Sequence, residues 1–133
     1  NSGMQLELIP TDFVRAVWPD ISERLSILSR EYGDGWLPED VYVELVTGAA
    51  YLWATAGMQG FVVLVVLTAP WGKDLHVWIA DNETRQNAGV YWEQLKQIAR
   101  DNNCQTVVFE SERSGFARAI PSLNVRYRYF ERV

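Results

Sequence analysis

Lys73-Asp74-Leu75-His76-Val77-Trp78-Ile79-Ala80, then Asp81-Asn82-Glu83-Thr84-Arg85-Gln86-Asn87-Ala88-Gly89-Val90, then Tyr91-Trp92-Glu93-Gln94-Leu95-Lys96-Gln97-Ile98-Ala99-Arg100: this stretch reads as strand, polar turn and helix. The run 75–80 is short, apolar on both faces and rich in β-branched and aromatic residues, which suits a strand in the middle of a sheet. Asp81, Asn82, Glu83 and Thr84 are expected to end it with turn chemistry. Beyond them Tyr91, Leu95, Ile98 and Ala99 recur at helical spacing, with Glu93, Gln94, Lys96 and Gln97 on the opposite face. A strand that feeds a helix through a polar turn aims backbone N–H groups at whatever lies beyond the strand's end, which is the makings of an anion site.

Working outward, the chain before this stretch supplies a first strand at 5–9, ended by Pro10, and a helical region whose N-cap is expected at Thr11-Asp12. Val14, Val17, Trp18, Ile21, Leu25, Leu28 and Tyr32 carry its apolar face, with a break or kink expected at Pro19. Pro38 opens a second helix, Glu39 and Asp40 favour its positive end, and Val41, Leu45, Val46 and Ala49 form its stripe. Three runs follow with no helix between them, 50–56, 61–68 and 75–80, joined by Gly57-Met58-Gln59-Gly60 and Pro70-Trp71-Gly72-Lys73. They predict an antiparallel meander whose middle strand, apolar throughout, is covered on both faces. After the helix come a strand at 106–111, a short helix at 114–120 broken by Pro121, and a last strand in which Val125, Tyr127 and Tyr129 alternate with Arg126 and Arg128.

With 133 residues, 48% of them hydrophobic, the chain has room for one core and one domain, expected over 4–133. Asn1-Ser2-Gly3 before Met4 reads as an expression-tag remnant. The longest apolar run, 61–67, is far short of the roughly 20 residues of a membrane helix, so no membrane role is expected. A single cysteine, Cys104, and a single histidine, His76, offer neither a disulfide nor a metal-ligand set, and a reducing cytoplasm is the expected setting. The net charge of −5 argues against nucleic acid as a partner. It is unevenly placed: residues 1–57 hold nine acids and three arginines, residues 113–133 five arginines and one glutamate. The acidic half would attract cationic amines and the basic tail anions, or both regions are solvated faces.

The order strand, two helices, three-stranded meander, helix, strand, short helix, strand resembles that of the GNAT N-acetyltransferase superfamily over nearly the whole chain. The resemblance implies an α/β, single-domain GNAT-like fold with a mixed, mainly antiparallel sheet flanked by helices. In that family the fourth strand splays from the fifth, acetyl-CoA enters the gap, and the following turn and helix N-terminus hold the pyrophosphate. Carried onto this chain, acetyl-CoA or another acyl-CoA would lie along Trp78, Ile79 and Ala80 and against Arg85, Gln86, Asn87, Ala88, Gly89, Val90 and Tyr91. The family's pyrophosphate motif is Gln or Arg, two residues, Gly, one residue, then Gly or Ala. Gln86 and Gly89 match it, while Tyr91 stands where a small residue is expected and would crowd the approach of a phosphate. Gly89 read alone is equally turn punctuation.

Catalytic roles map less completely. The family's tyrosine acid after the fifth strand has Phe116 near its place, leaving Ser114 as the nearby hydroxyl; Tyr127 and Tyr129 fit core packing better than substitution for it. The carboxylate base maps to Glu110, with Glu112 on the same strand face and Asp81 as alternatives, although polar residues at strand ends are more often simply solvated. His76 is a minor candidate, since a lone histidine in a buried strand is commonly a hydrogen-bonded core residue. Asp34 and Trp36, between the first two helices, either clamp an amine by ion-pair and cation–π contacts or form an ordinary connector. Two functions stand side by side. One is an acyl-CoA-dependent N-acetyltransferase acting on a small-molecule or protein amine. The other is an inactive protein-binding or virion module, because the ending Gly115-Phe116-x-Arg118 is similar to that of compact bacteriophage GNAT-like proteins, whose setting would be the host cytoplasm or the virion.

Overall fold

The computed structural model describes residues 5–32, 37–82, 91–109, 124–125 and 129–132. At its centre β3, Gly60–Ala69, and β4, Gly72–Asn82, form a long antiparallel hairpin. Phe61, Val62, Val63 and Leu64 are all fully buried, because alternate residues of β3 enter two different cores. Val62, Leu64 and Val66 face one helix, Phe61, Val63 and Val65 the other two, as a run without polar alternation predicts. Each such large side chain contributes about 1.5–3 kcal/mol by leaving water.

The remaining strands extend this hairpin into a seven-stranded sheet of order β1-β2-β3-β4-β5-β7-β6. Strand β1 is Glu7–Ile9, β2 Tyr51–Ala54, β5 Thr106–Phe109, β6 Asn124–Val125 and β7 Tyr129–Arg132. Every neighbouring pair is antiparallel except β4 and β5. The expected meander is β2-β3-β4. The expected single last strand is corrected: Val125 lies across the sheet from Tyr129, so these two belong to paired strands and do not share one. Alternation shows which side chains share a face but carries no information on where the chain reverses.

Two helices cover one face. In α1, Val14–Tyr32, Val14, Ile21 and Leu25 are buried, and Trp18 meets Tyr42 of α2 edge to face, with ring centroids 4.8 Å apart. The helix runs through Pro19 without the expected break. Pro19 lies on an exposed face near the helix start, where water can serve the carbonyl that loses its donor. Nor do Thr11 and Asp12 cap it: they form a 3-10 turn, Thr11–Phe13, that starts at Pro10 with no side-chain cap. The second helix, α2, is Pro38–Val46 and buries Val41 and Leu45. It is capped in reverse, with the Leu37 N–H donating to Asp40 Oδ2 at 2.8 Å. Ala49, expected on its stripe, is exposed, since the helix stops at Val46 and Gly48 turns the chain at φ +82°.

The opposite face carries α3, Trp92–Asp101, through Trp92, Leu95, Ile98 and Ala99. Its Gln94 also reads the backbone of the first strand region: Leu6 N–H donates to Gln94 Oε1 at 2.8 Å, and Gln94 Nε2 donates to the Leu6 carbonyl at 2.6 Å. The edge of the sheet is thereby tied to a residue 88 positions away. Leu6 is buried under this contact, whereas Leu8, on the same side of the edge strand, is 48% exposed. No helix among the described residues is long and apolar enough to cross a membrane.

Candidate functional site

The hairpin changes register at one step. Leu64 pairs with Val77 but Val63 pairs with Ile79, so β4 spends one residue more than β3, and Trp78 is the extra one. The faces record the consequence: Val77 and Ala80 belong to the α3 core, while Trp78 and Ile79, adjacent in sequence, both pack on the α1–α2 side. This is a β-bulge, which bends its strand and interrupts the ladder.

The bulge falls just past Val77, the last described partner of β5 on β4. Their parallel pairing covers Asp74 with Thr106 through Val77 with Phe109. It begins at a buried side-chain bond, the Thr106 hydroxyl donating to Asp74 Oδ1. Beyond Val77, the described residues of β4 continue to Asn82 paired with β3. A bend in one of two neighbouring parallel strands favours a gap between them.

At the far end of β4 the structure gathers residues that periodicity did not associate. Arg24, from the middle of α1, places Nε 2.6 Å from Asp81 Oδ2 and donates from Nη1 to the carbonyls of Gln59, at 3.0 Å, and Met58, at 3.3 Å. Its guanidinium carbon also lies 5.6 Å from the centre of the Phe61 ring. On the other side of the sheet, the Tyr91 hydroxyl stands where a Cβ on Gly60 would be. Gly60 itself is held by Thr55, whose Oγ1 accepts the Gly60 N–H at 2.9 Å and whose own N–H donates to the Gly60 carbonyl at 2.9 Å.

Among the expected cofactor residues, Trp78, Ile79, Ala80 and Tyr91 come to this one end of the sheet. Ile79 is buried and Ala80 packs against the α3 core, so what those positions can offer a ligand is backbone. Tyr91 is 2% exposed and its ring is part of the α3 core. The ring goes inward, into space that Gly60 leaves; the turn whose phosphate approach it was expected to crowd lies outside the described residues. Asp81, an alternative base, has a carboxylate oxygen paired with Arg24, which ties α1 to the sheet. His76 is half-buried on β4, across from Val65 and Val108.

Glu110 and Ser114, the expected catalytic pair, lie outside the described residues, as do Arg85, Gln86, Asn87, Ala88, Gly89, Val90, Asp34, Trp36, Glu112, Phe116 and Tyr127. Among the described residues, no group of three or more His, Cys, Asp and Glu stands together to hold a metal ion. Arg24 was legible in principle: it falls three positions after Ile21 and four before Leu28, at the border of the buried stripe, where a charged residue reaches toward the sheet.

No protein-family profile matches the chain, and no curated protein matches its sequence. Solved structures do match its shape. One, described as a probable acetyltransferase, superposes with a TM-score of 0.66 at 11% identity, over 92% of this chain and 90% of its own. An integron cassette protein from the mobile metagenome of V. cholerae gives 0.63 at 15% identity, over 92% and 86%. Another integron cassette protein, from the mobile metagenome of Cole Harbour Salt Marsh, gives 0.61 at 15% identity, over 90% and 84%. At such identities the likeness speaks for the fold, which is GNAT-like, a mixed and mainly antiparallel sheet between helices.

Proposed function

We propose that this protein binds an acyl-CoA between β4 and β5 and transfers its acyl group to an amine, of a small molecule or of a protein. The observation that carries the reading is the bulge at Trp78, which bends β4 just past Val77, the last described partner of β5, on the same end of the sheet as the start of α3. The probable acetyltransferase with the same fold supports it.

The backbone of Trp78, Ile79 and Ala80 would lie along the acyl-bearing arm, and the turn of residues 85–90 with the first turn of α3 would hold the pyrophosphate, Arg85 adding a charge-assisted contact. When bound, the acyl-CoA supplies a thioester already activated for transfer. Glu110 would take the proton from the attacking amine and Ser114 would return one to the departing thiolate sulfur, while Asp34 and Trp36 would hold a cationic amine before it reacts. Loss of a positioned proton-transfer group typically costs about 10²- to 10⁴-fold, so Glu110→Gln and Ser114→Ala should each lower turnover within that range while cofactor binding survives.

Calorimetric titration with CoA and with acetyl-CoA tests the reading directly. Saturable binding of both is expected; no heat and no thermal shift at millimolar ligand would overturn it. A second reading, a GNAT-like module that binds a partner protein without chemistry, draws on Phe116 near the acid's place and on the engagement of Asp81 by Arg24. CoA binding with no thioester consumed across a panel of amines would favour it.

A further inference from the structure

We propose that the part of β3 beyond Leu64 is an interaction surface for a second copy of this chain. The second copy adds its own β3 there, edge to edge and antiparallel, so that two sheets join into one.

The open edge follows from the unequal lengths of two neighbours. Strand β3 runs for ten residues, Gly60–Ala69, but β2 pairs only with Phe61 through Leu64. Beyond Leu64, no strand among the described residues lies on that side of β3. The chain enters the sheet only at Tyr51, since just before it the N–H groups of Ala49 and Ala50 both still donate to the Glu44 carbonyl of α2, at 2.9 Å. Which backbone groups face the open side is fixed at the other end of β3. There the Thr55 N–H donates to the Gly60 carbonyl at 2.9 Å, so Gly60 and every second residue after it, Val62, Leu64, Val66 and Thr68, turn N–H and C=O toward the β2 side. The extra residue of the bulge is in β4, so β3 keeps this alternation. Val66 and Thr68 therefore present two donors and two acceptors to an edge that β2 does not reach.

This stretch lacks the devices that keep strands apart. Strand β1 is short and has Glu7 and Pro10 at its ends, whereas Val65-Val66-Leu67-Thr68-Ala69 contains neither a charge nor a proline. Large apolar side chains stand open around it: Leu67 is 40% exposed, Trp71 at the hairpin tip 63%, and Tyr51, across from Leu64, 43%. Unpaired backbone groups in a row are matched by an extended backbone, and a second copy of the same edge is self-complementary. About a twofold axis at Leu67, Val66 of each copy faces Thr68 of the other, which forms four backbone hydrogen bonds, and the two leucines cover one another. Each copy has a net charge of −5, yet residues 60–69 include no charged side chain, so pairing here sets no like charges directly opposite. So few residues a side bury less than the roughly 1,200 Å² of a stable interface, and the dimer is accordingly weak and concentration-dependent.

Sedimentation velocity of the full chain over a concentration series, from micromolar to near millimolar, tests this. A reversible monomer–dimer equilibrium is expected, with dimer gained as concentration rises. Thr68→Pro removes an outward N–H without touching the β3–β4 ladder, and Leu67→Lys sets two ammonium groups against each other at the axis. Each should weaken the dimer by about tenfold or more and leave the urea midpoint of the monomer nearly unchanged. If Thr68→Pro does not fold, Leu67→Lys, at an exposed side chain, decides alone. A dimer that survives Leu67→Lys would overturn the proposal by placing the contact on another surface. A monomer throughout the series would overturn it as well, and would leave this edge to an extended segment of a different protein.

Discussion

Cys104 shows how a single residue is defined by what surrounds it. It follows α3 and precedes β5, 4% exposed, with its N–H donating to the Ala99 carbonyl at 2.8 Å. Burial pushes its thiol above the ordinary range, and nearby Asp74 adds to this while Lys73 opposes it. Two outcomes follow from the direction. At mildly alkaline pH the native protein should react with iodoacetamide far more slowly than the urea-unfolded chain, since the thiolate is the nucleophile. Stability linked to this group is fully present below the ordinary thiol pKa and is lost as pH rises through the higher native value, because the unfolded thiol ionises first. Urea midpoints measured across that alkaline window should therefore fall more steeply for the natural protein than for Cys104→Ala. Equal slopes would show that burial does not govern this thiol.

Between elements, polar side chains fix what apolar faces leave adjustable. An amphipathic helix can slide along a sheet at modest cost, but Arg24 reaches Asp81 on β4 and the carbonyls of Met58 and Gln59 just before β3, and so sets where α1 docks. Its ion pair is partly solvated, at 22% and 20% side-chain exposure, so the Coulomb contribution is small and the carbonyl bonds matter as much. Arg24→Ala should cost about 1–2 kcal/mol in urea unfolding. Arg24→Lys should recover little of it, since an ammonium cannot span the carboxylate and the carbonyls as a planar fork does. Unchanged midpoints would mean that Ile21 and Leu25 dock α1 unaided. Gln94 does the equivalent work for α3, bonding both polar backbone groups of Leu6.

For the whole molecule the consequence is a sheet closed off at its β1 edge by only three residues. Strand β1 covers the outer edge of β2 and is itself short, with Glu7 and Pro10 at its ends, which discourages further strand addition. Removing residues through Ile9 would empty the place of buried Leu6, strand the Gln94 amide and bare the edge from Tyr51 to Ala54. Loss of one buried leucine alone is worth about 2.7–5 kcal/mol. The shortened protein should unfold at lower urea and self-associate by light scattering; a stable monomer would show that β1 is dispensable. This scale also explains why no sequence comparison matches while solved structures do: core faces tolerate many apolar substitutions that keep volume and pattern, so shape outlasts sequence.

What the sequence by itself determined is the order of the elements from the first strand to β5 and most of the faces they bury. The unbroken apolar run from Phe61 to Val66 announced a strand covered twice, and Leu95, Ile98 and Ala99 announced the inner face of α3, because both signals are periods contained within a few turns or residues of chain. From those elements in that order, the GNAT-like fold could be read. What only the tertiary structure decided is the site's construction. Trp78 is the bulged residue although no glycine marks it, Arg24 meets Asp81, Tyr91 turns inward over Gly60, and Val125 pairs with Tyr129 where one strand was expected. None of these has a local signature. Each depends on which residues two distant segments bring opposite one another, and that is settled by close packing of the whole core, where a single missing Cβ or one extra residue redirects a side chain.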